Sequence, residues 1–472
     1  MLDPIRRPPR SPAAIAALAA ASLSAPGTGA TADLKALQPA RQTLDRCETA
    51  GLQAVPDSDI CMKFGGFVRF DMSAIDKNWL GTDGYVVADI AVNGRSVAPS
   101  GVVPTIDPGM QYDTVQAYSE ARIHTEVRSD TEYGTVRALV ELEAVDDETR
   151  TGGPFGLRHA YVQFGNWTLG KTWSTFLHLD SGPSYSDPYT VVGDNSTAIR
   201  RNQLRYTQTL GRGFSLAVAI EDQNYESPPA AIVGLGANAP VIPAPATALS
   251  VTTDGNDMPD LVAALKWDRP GVGSAQIAAA MHQNRYVETL TIAGASVPVA
   301  NDSSAGYALL GGLALDLPTG TGDKFTFLAN YTDGASQYLQ DFYGDSTAVV
   351  WGRCGPTNCI LDRVRKWSAV SSLTHYWTGE ISTSFGAGYS QTDYGAAGTA
   401  LKGQPAVPAA LDVASLEGFA NVQWQPTPRT TFMLDIHYGR IDYRGFDLDP
   451  TVAGVQDAQG AWAGTFELTR RF

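Results

Sequence analysis

Between Tyr118 and Arg128 the chain alternates. Tyr118, Glu120, Arg122, His124, Glu126 and Arg128 share one parity, while Ala121, Ile123 and Val127 fall on the other. A period of two predicts a β-strand with one wet and one apolar face. After a turn at residues 129–134 the pattern resumes. Val136, Ala138, Val140, Leu142 and Ala144 then lie opposite Arg137, Glu141 and Glu143.

The same hairpin device recurs around residues 210–213, 268–271, 318–322 and 425–428. Phe214, Leu216, Val218 and Ile220, for example, follow the first of these turns on one parity, with Ala219 on the other. Two further short turns fall near Gly165-Asn166 and Thr378-Gly379, although the stretch from Trp367 to His375 alternates poorly. Longer connections separate the hairpins, at residues 73–115, 145–156, 175–199, 223–259, 285–303, 332–365, 391–414 and 444–459. Short turns on one side and long loops on the other describe about sixteen antiparallel strands, closed as a transmembrane β-barrel. The strands are also long enough, at about 9 to 13 residues, to cross hydrocarbon at a tilt.

Composition sharpens this reading. At 472 residues the chain has room for about three soluble domains or one large β architecture. Its 18% charged residues fall below the roughly 25% of ordinary soluble domains, and 47 Gly with 28 Pro suit many strands joined by turns. A formal charge of −15 argues against a nucleic-acid partner. The sequence holds no apolar run of the roughly 18 residues that a spanning helix needs. A mean hydropathy of −0.13 is compatible with a barrel, whose strands carry a weak signal.

Arg6, Arg7 and Arg10 precede an apolar run from Ala13 to Leu23 and an Ala30-Thr31-Ala32 cleavage pattern, which predicts a signal peptide over residues 1–32. Its removal discards three Arg and one Asp, leaving about −17. Residues 33–62 are expected to form a periplasmic segment and residues 63–472 the barrel. In the oxidising compartment this implies, Cys47 with Cys61 and Cys354 with Cys359 read as two disulfides. Neither pair is a CxxC and no His stands at ligand spacing, so no metal site is expected.

The final strand carries Trp462, Gly464, Phe466, Leu468, Arg470 and Phe472 on its apolar parity, with Arg470 the exception. The stretch from Cys47-Glu48-Thr49-Ala50-Gly51 through Cys61-Met62-Lys63-Phe64-Gly65-Gly66-Phe67-Val68-Arg69 resembles the opening of the mature porins of alphaproteobacteria. Leu157 to Gly165, Thr168 to Lys171 and Arg201 to Tyr206 resemble that family's strands four to six. The resemblance implies a homotrimeric, water-filled diffusion channel in the Gram-negative outer membrane, among lipid and lipopolysaccharide. It also implies an inward-folded third long loop, small hydrophilic solutes and ions as permeants, and no cofactor.

That loop, residues 175–199, contains Asp180, Asp187 and Asp194 and neither Lys nor Arg. The wet parity nearby supplies Arg69, Arg122, Arg128, Arg137, Arg201 and Arg205. If the loop folds inward, carboxylates face guanidiniums across the narrowest part, a transverse field that orders dipolar solutes. Alternatively, the arginines pair locally with Glu126, Glu141 or Glu143, or form structural contacts with the loop. The six His residues, 124, 159, 178, 282, 375 and 437, sit in no nucleophile motif, so no enzyme is expected. A substrate-selective channel of the same fold, or a structural or adhesin barrel, are the alternatives.

Overall fold

The computed structural model describes residues 47, 51–56, 58–76, 85–87, 90–92, 95–97, 102–104, 114–147, 155–186, 191–196, 199–223, 231–234, 246–253, 258–292, 295–339, 350–354, 359–393, 412–444 and 458–472. Sixteen strands form one closed antiparallel barrel. The first half comprises β1 (Ile60–Ile75), β2 (Thr114–Thr131), β3 (Gly134–Asp147), β4 (Phe155–Phe164), β5 (Trp167–Trp173), β6 (Arg200–Gly211), β7 (Phe214–Glu221) and β8 (Asp260–Arg269). The second comprises β9 (Gly273–Ile292), β10 (Ala295–Asp316), β11 (Lys324–Asp333), β12 (Arg365–Tyr376), β13 (Ile381–Asp393), β14 (Asp412–Thr427), β15 (Thr430–Arg444) and β16 (Ala458–Arg471). Each pairs with its sequence neighbour, and β16 closes on β1 from Phe67↔Arg471 to Ile75↔Ala463. Among the described residues no helix is long and apolar enough to cross a membrane; the strands do the crossing.

The parity read from the sequence holds along the wall. Phe214, Leu216, Val218 and Ile220 are exposed on the outside, whereas Ala219 is buried inside. Trp367 and Trp377, ten positions apart on one parity, are both exposed. At about 3.3 Å per residue and a tilt near 40°, they stand about 25 Å apart along the barrel axis, the height of an outer-membrane apolar band. Around Trp367 run the cross-strand pairs Trp367–Tyr389, Tyr307–Tyr331 and Tyr438–Trp462. The opposite rim carries Trp167–Tyr206, Trp424–Phe432 and Phe64–Phe472. Phe472 closes the seam, exchanging main-chain hydrogen bonds with Gly66 at 3.0 and 3.2 Å. A Cβ on Gly66 would lie 2.1 Å from Arg122 O, so only glycine fits there. Arg470 stays on the outer parity and donates to Thr430 Oγ1 at 2.7 Å, hugging the rim.

Three features depart from the sequence pattern. β12 alternates cleanly, but its inner face carries Val370 and its outer face Ser371, which is why its composition looked scrambled. Residues 285–303, expected as a loop, continue β9 and β10 as a hairpin paired out to Ile292↔Ala295. The strand Ala246–Thr253, inside the expected loop 223–259, adds to the far half of β9, where β8 no longer pairs. Alternation in Val287, Thr289 and Thr291 against Glu288, Leu290 and Ile292 does not mark where a strand leaves the membrane.

β1 begins at Ile60, and the short strand Gln53–Ala54 pairs with its first residues. Cys47 and Cys61 form a disulfide across that segment. A second hairpin, Val350–Cys354 with Cys359–Arg363, places Cys354 directly opposite Cys359, and Ala231–Gly234 joins it in parallel. The side chains of that pair lie outside the described residues, as do residues 1–46.

Candidate functional site

The third long loop leaves β5 and turns into the barrel. At its root Glu221 on β7 accepts Ser174 Oγ and the Thr175 N–H, both at 2.7 Å. Gln276 Nε2 on β9 then donates to Phe176 O and Leu177 O at 3.1 and 3.0 Å. Phe176, Leu177, Val191 and Ile199 pack against inner positions of β7–β12 that are apolar: Ala219, Val262, Ala264, Ala278, Ala280, Ala308, Leu310, Leu328 and Val370. A lumen parity made of alanine therefore marks where the loop is seated. Fully burying Phe176 contributes about 1.5–3 kcal/mol to that seat.

Near the start of β9 the loop makes a 3-10 turn, Leu179–Ser181. His178 faces Ser274 Oγ at 3.1 Å and lies so close to Gly312 that a Cβ there would fall 2.5 Å from its ring. Burial lowers the His178 pKa to about 4, so the ring is neutral at pH 7. Asp180 pairs with Lys266 Nζ at 2.6 Å and accepts Ser274 Oγ at 2.9 Å. Burial pushes the Asp180 carboxyl up, but those two partners outweigh it and hold it below its ordinary value. Asp194 is turned into the loop itself, accepting Tyr185 Oη at 2.7 Å and the Ser196 N–H at 2.8 Å. Burial raises its pKa. Asp187 lies outside the described residues.

A second loop backs the third. After β11 a 3-10 turn, Ser336–Tyr338, also lies inside the barrel, with Tyr338 fully buried. Its ring meets Phe176 edge-on at 5.1 Å, and the Arg201 guanidinium lies 4.9 Å from the ring centre. Arg201 also donates to Asp222 O at 2.9 Å and lies 3.9 Å from Asp260. It thus props this loop against the wall.

The wall of β16 and β1–β6 is charged. Arg69 pairs with Asp71 at 2.9 Å and with Glu120, and also bonds the Tyr118 hydroxyl. Arg122 joins Glu143 at 2.8 Å and Glu120. Arg137 reaches Glu126 and Gln163 at 2.9 and 2.8 Å, and Arg128 shares Glu126. Arg158 adds pairs to Glu141 and Glu143. Local pairing, the second of the two sequence-based options, describes Arg69, Arg122, Arg128 and Arg137. Arg205 differs: it shares the inner parity of Arg201 and Gln203 but makes no hydrogen bond or ion pair among the described residues. Two charged faces thus coexist, a laced Arg/Glu ladder and a loop whose described carboxylates are engaged.

The match to known sequences follows this geometry. A profile described as a porin subfamily matches residues 49–465, nearly the whole described barrel. The chain belongs to this porin family. Porin Omp2b of Brucella melitensis is 26% identical over 218 residues, 43% of this chain and 51% of that protein. Porin Omp2a of the same organism is 26% identical over 212 residues, 43% and 53% of the two chains. This porin therefore spans about half the length of the curated relatives it matches. The outer membrane channel DcaP of Acinetobacter baumannii superposes with a TM-score of 0.60 at 18% identity, over 88% of this chain and 97% of that one. Family and fold place this porin in the outer membrane of a Gram-negative bacterium, with short turns periplasmic and long loops outside.

Sequence reasoning did not single out Lys266, Tyr338, Glu417 or Asp435. Lys266 could have been found as the basic residue that follows Val262 and Ala264 on the inner parity of β8. Tyr338 has no local signal, since its role depends on two loops distant in sequence meeting inside the barrel.

Proposed function

We propose that this chain is a general diffusion porin, passing small hydrophilic solutes and ions down their gradients through a water-filled lumen narrowed by residues 175–199. The observation that carries the reading is the placement of that loop. It covers the apolar inner wall of β7–β12 and leaves the charged ladder of β1–β6 for water and solute. Because most described guanidiniums of that ladder are ion-paired, the expected ion selectivity is weak. Liposome swelling with sugars of graded size tests the reading: uptake should fall with size and show no saturation. Saturable uptake of a single solute class would instead make it a substrate-selective channel.

The same reading includes a homotrimer. Within β2 and β3 the outward faces carry Ser119, Ala121, Ile123, Thr125, Val127, Val136, Ala138, Val140 and Leu142, with no aromatic among them, so the two aromatic belts are interrupted. A face without belts suits a protein neighbour better than lipid. Light scattering in detergent should return three times the protomer mass. The reading further takes residues 1–32 as a cleaved signal peptide, residues 33–62 as a periplasmic segment and Cys354–Cys359 as a second bridge. N-terminal sequencing and non-reducing peptide mapping test these directly.

A further inference from the structure

On the inner wall of β15, separated from β1 only by β16, His437 is held between two carboxylates. It is fully buried on β15, with Nδ1 2.7 Å from Glu417 Oε1 on β14 and Nε2 3.2 Å from Asp435 Oδ2. Each carboxylate also grips the third loop. Glu417 Oε2 accepts the Val192 N–H at 2.8 Å, and Asp435 Oδ2 accepts the Ser186 N–H at 2.7 Å. Asn421 Nδ2 adds a bond to Ser184 O at 2.7 Å, and the Tyr185 ring meets His437 edge-on at 6.3 Å. The second half of the loop is therefore fastened largely through its main chain, to acceptors whose charge His437 partly offsets.

A neutral imidazole has one N–H and one lone pair, so it could donate to only one of these carboxylates and would aim a lone pair at the other. An imidazolium donates from Nδ1 to Glu417 and sets a second N–H and its charge against Asp435. The other titratable groups facing this point from the packed elements are acidic: Tyr185 with Asp194 behind it on the loop, and Glu467 on β16, opposite Met433. We propose that His437, as an imidazolium, is the positioning residue that clasps the third loop to β14 and β15, so that loop docking depends on the proton of this one ring. When that proton leaves to solvent, two ionised carboxylates remain side by side in a buried site. Drawing in water or a proton relieves them, which withdraws an acceptor from Ser186 or Val192 and frees the loop.

Two measurements on the full chain in detergent or planar bilayers test this. It rests on the reading that the third loop borders the passage, and the two readouts separate the two ideas. Hydrogen–deuterium exchange of the unmodified protein follows a peptide covering residues 184–193. After correction for intrinsic base catalysis, its exchange should be slow at pH 7 and rise roughly tenfold across an alkaline transition. Single-channel current should become noisier across the same interval, and H437Q should show that noisy state already at pH 7 without the transition. Flat exchange across the alkaline range overturns the clasp, as does a folded H437Q that keeps the wild-type exchange and pH profile. If H437Q does not fold, exchange in the unmodified protein decides. Exchange that rises while the current stays steady supports the clasp and overturns the assignment of the loop to the passage.

Discussion

Tyr338 Oη donates to Asp260 Oδ2 at 2.7 Å, tying the loop after β11 to the first residue of β8 inside the barrel. Asp260 also accepts Gln223 Nε2 at 2.6 Å and faces His282 Nδ1 at 2.8 Å, so it gathers β8, β9, the chain just after the end of β7 and the loop after β11 at one point. Because Phe176 leans on the Tyr338 ring, this bond also supports the root of the third loop.

Tyr338→Phe removes only the hydroxyl and leaves a buried carboxylate short of one donor. A loss of about 1–3 kcal/mol is expected on unfolding in denaturant, with noisier open-channel current from a less firmly backed third loop. Tyr338→Ala should cost more, since the Phe176 contact goes as well. Equal stability of wild type and the Phe variant would show that the hydroxyl is replaced by water.

The lipid-facing parity predicts that Val218→Arg destabilises the barrel by roughly 2–4 kcal/mol near the bilayer midplane. Ala219 on the inner face is not an indifferent lumen position: it is 1% exposed and belongs to the seat of the loop. Ala219→Arg should leave barrel assembly intact while displacing the loop and changing single-channel conductance. Heat-modifiable migration on gels and bilayer recording read the two effects separately. Matching damage at the two positions would defeat the parity assignment.

Charge pairing on the wall orders the arginines by their expected influence on ions. Arg205, without an ion pair among the described residues, presents its full charge, whereas Arg69 is laced between Asp71 and Glu120. Arg205→Gln should therefore move the reversal potential in a salt gradient toward cations by more than Arg69→Gln does. The shift should shrink near 1 M salt, where screening acts within about 3 Å. The reverse order would mean that ion pairing does not decide how strongly a wall arginine acts on passing ions.

His178 gives the loop a second, acidic sensitivity. Its folded pKa, about 4, lies below the ordinary 6.5, so folding binds fewer protons there than the unfolded chain does. The stability it lends is complete above pH 6.5 and is lost as pH falls toward 4. Open-channel noise should accordingly grow on acidification through that window, and His178→Asn should flatten the change. A wild-type record unchanged from pH 7 to 4 would remove His178 from any part in it.

The alternation in β2, β3 and β7 and the sorting of short turns from long loops were legible because they depend on neighbours two residues apart. The loop seat was not. Ala219, Ala264, Ala278 and Ala308 look like a weakened wet parity until Phe176 and Leu177 are laid on them, and that cluster spans about 130 residues of sequence between Phe176 and Ala308. The Arg69 and Arg122 pairs were half visible, since Glu120 sits on the same parity two residues from Arg122. The carboxylates of the loop could be counted but not oriented: Asp194 turns inward to Tyr185 and Ser196, and Asp180 turns to Lys266. Nothing local to those residues shows which partner will lie in front of them.

Leu179 offers the sharpest handle on whether the third loop borders the passage. It stands at the turn inside the barrel, yet it is 43% exposed, an apolar side chain facing the internal water. A single L179C channel in a planar bilayer should lose conductance in discrete steps when a charged methanethiosulfonate reagent is added, while the wild-type channel, treated identically, keeps its current. Full conductance after labelling at that cysteine has been verified by mass would mean that the loop does not line the conducting path.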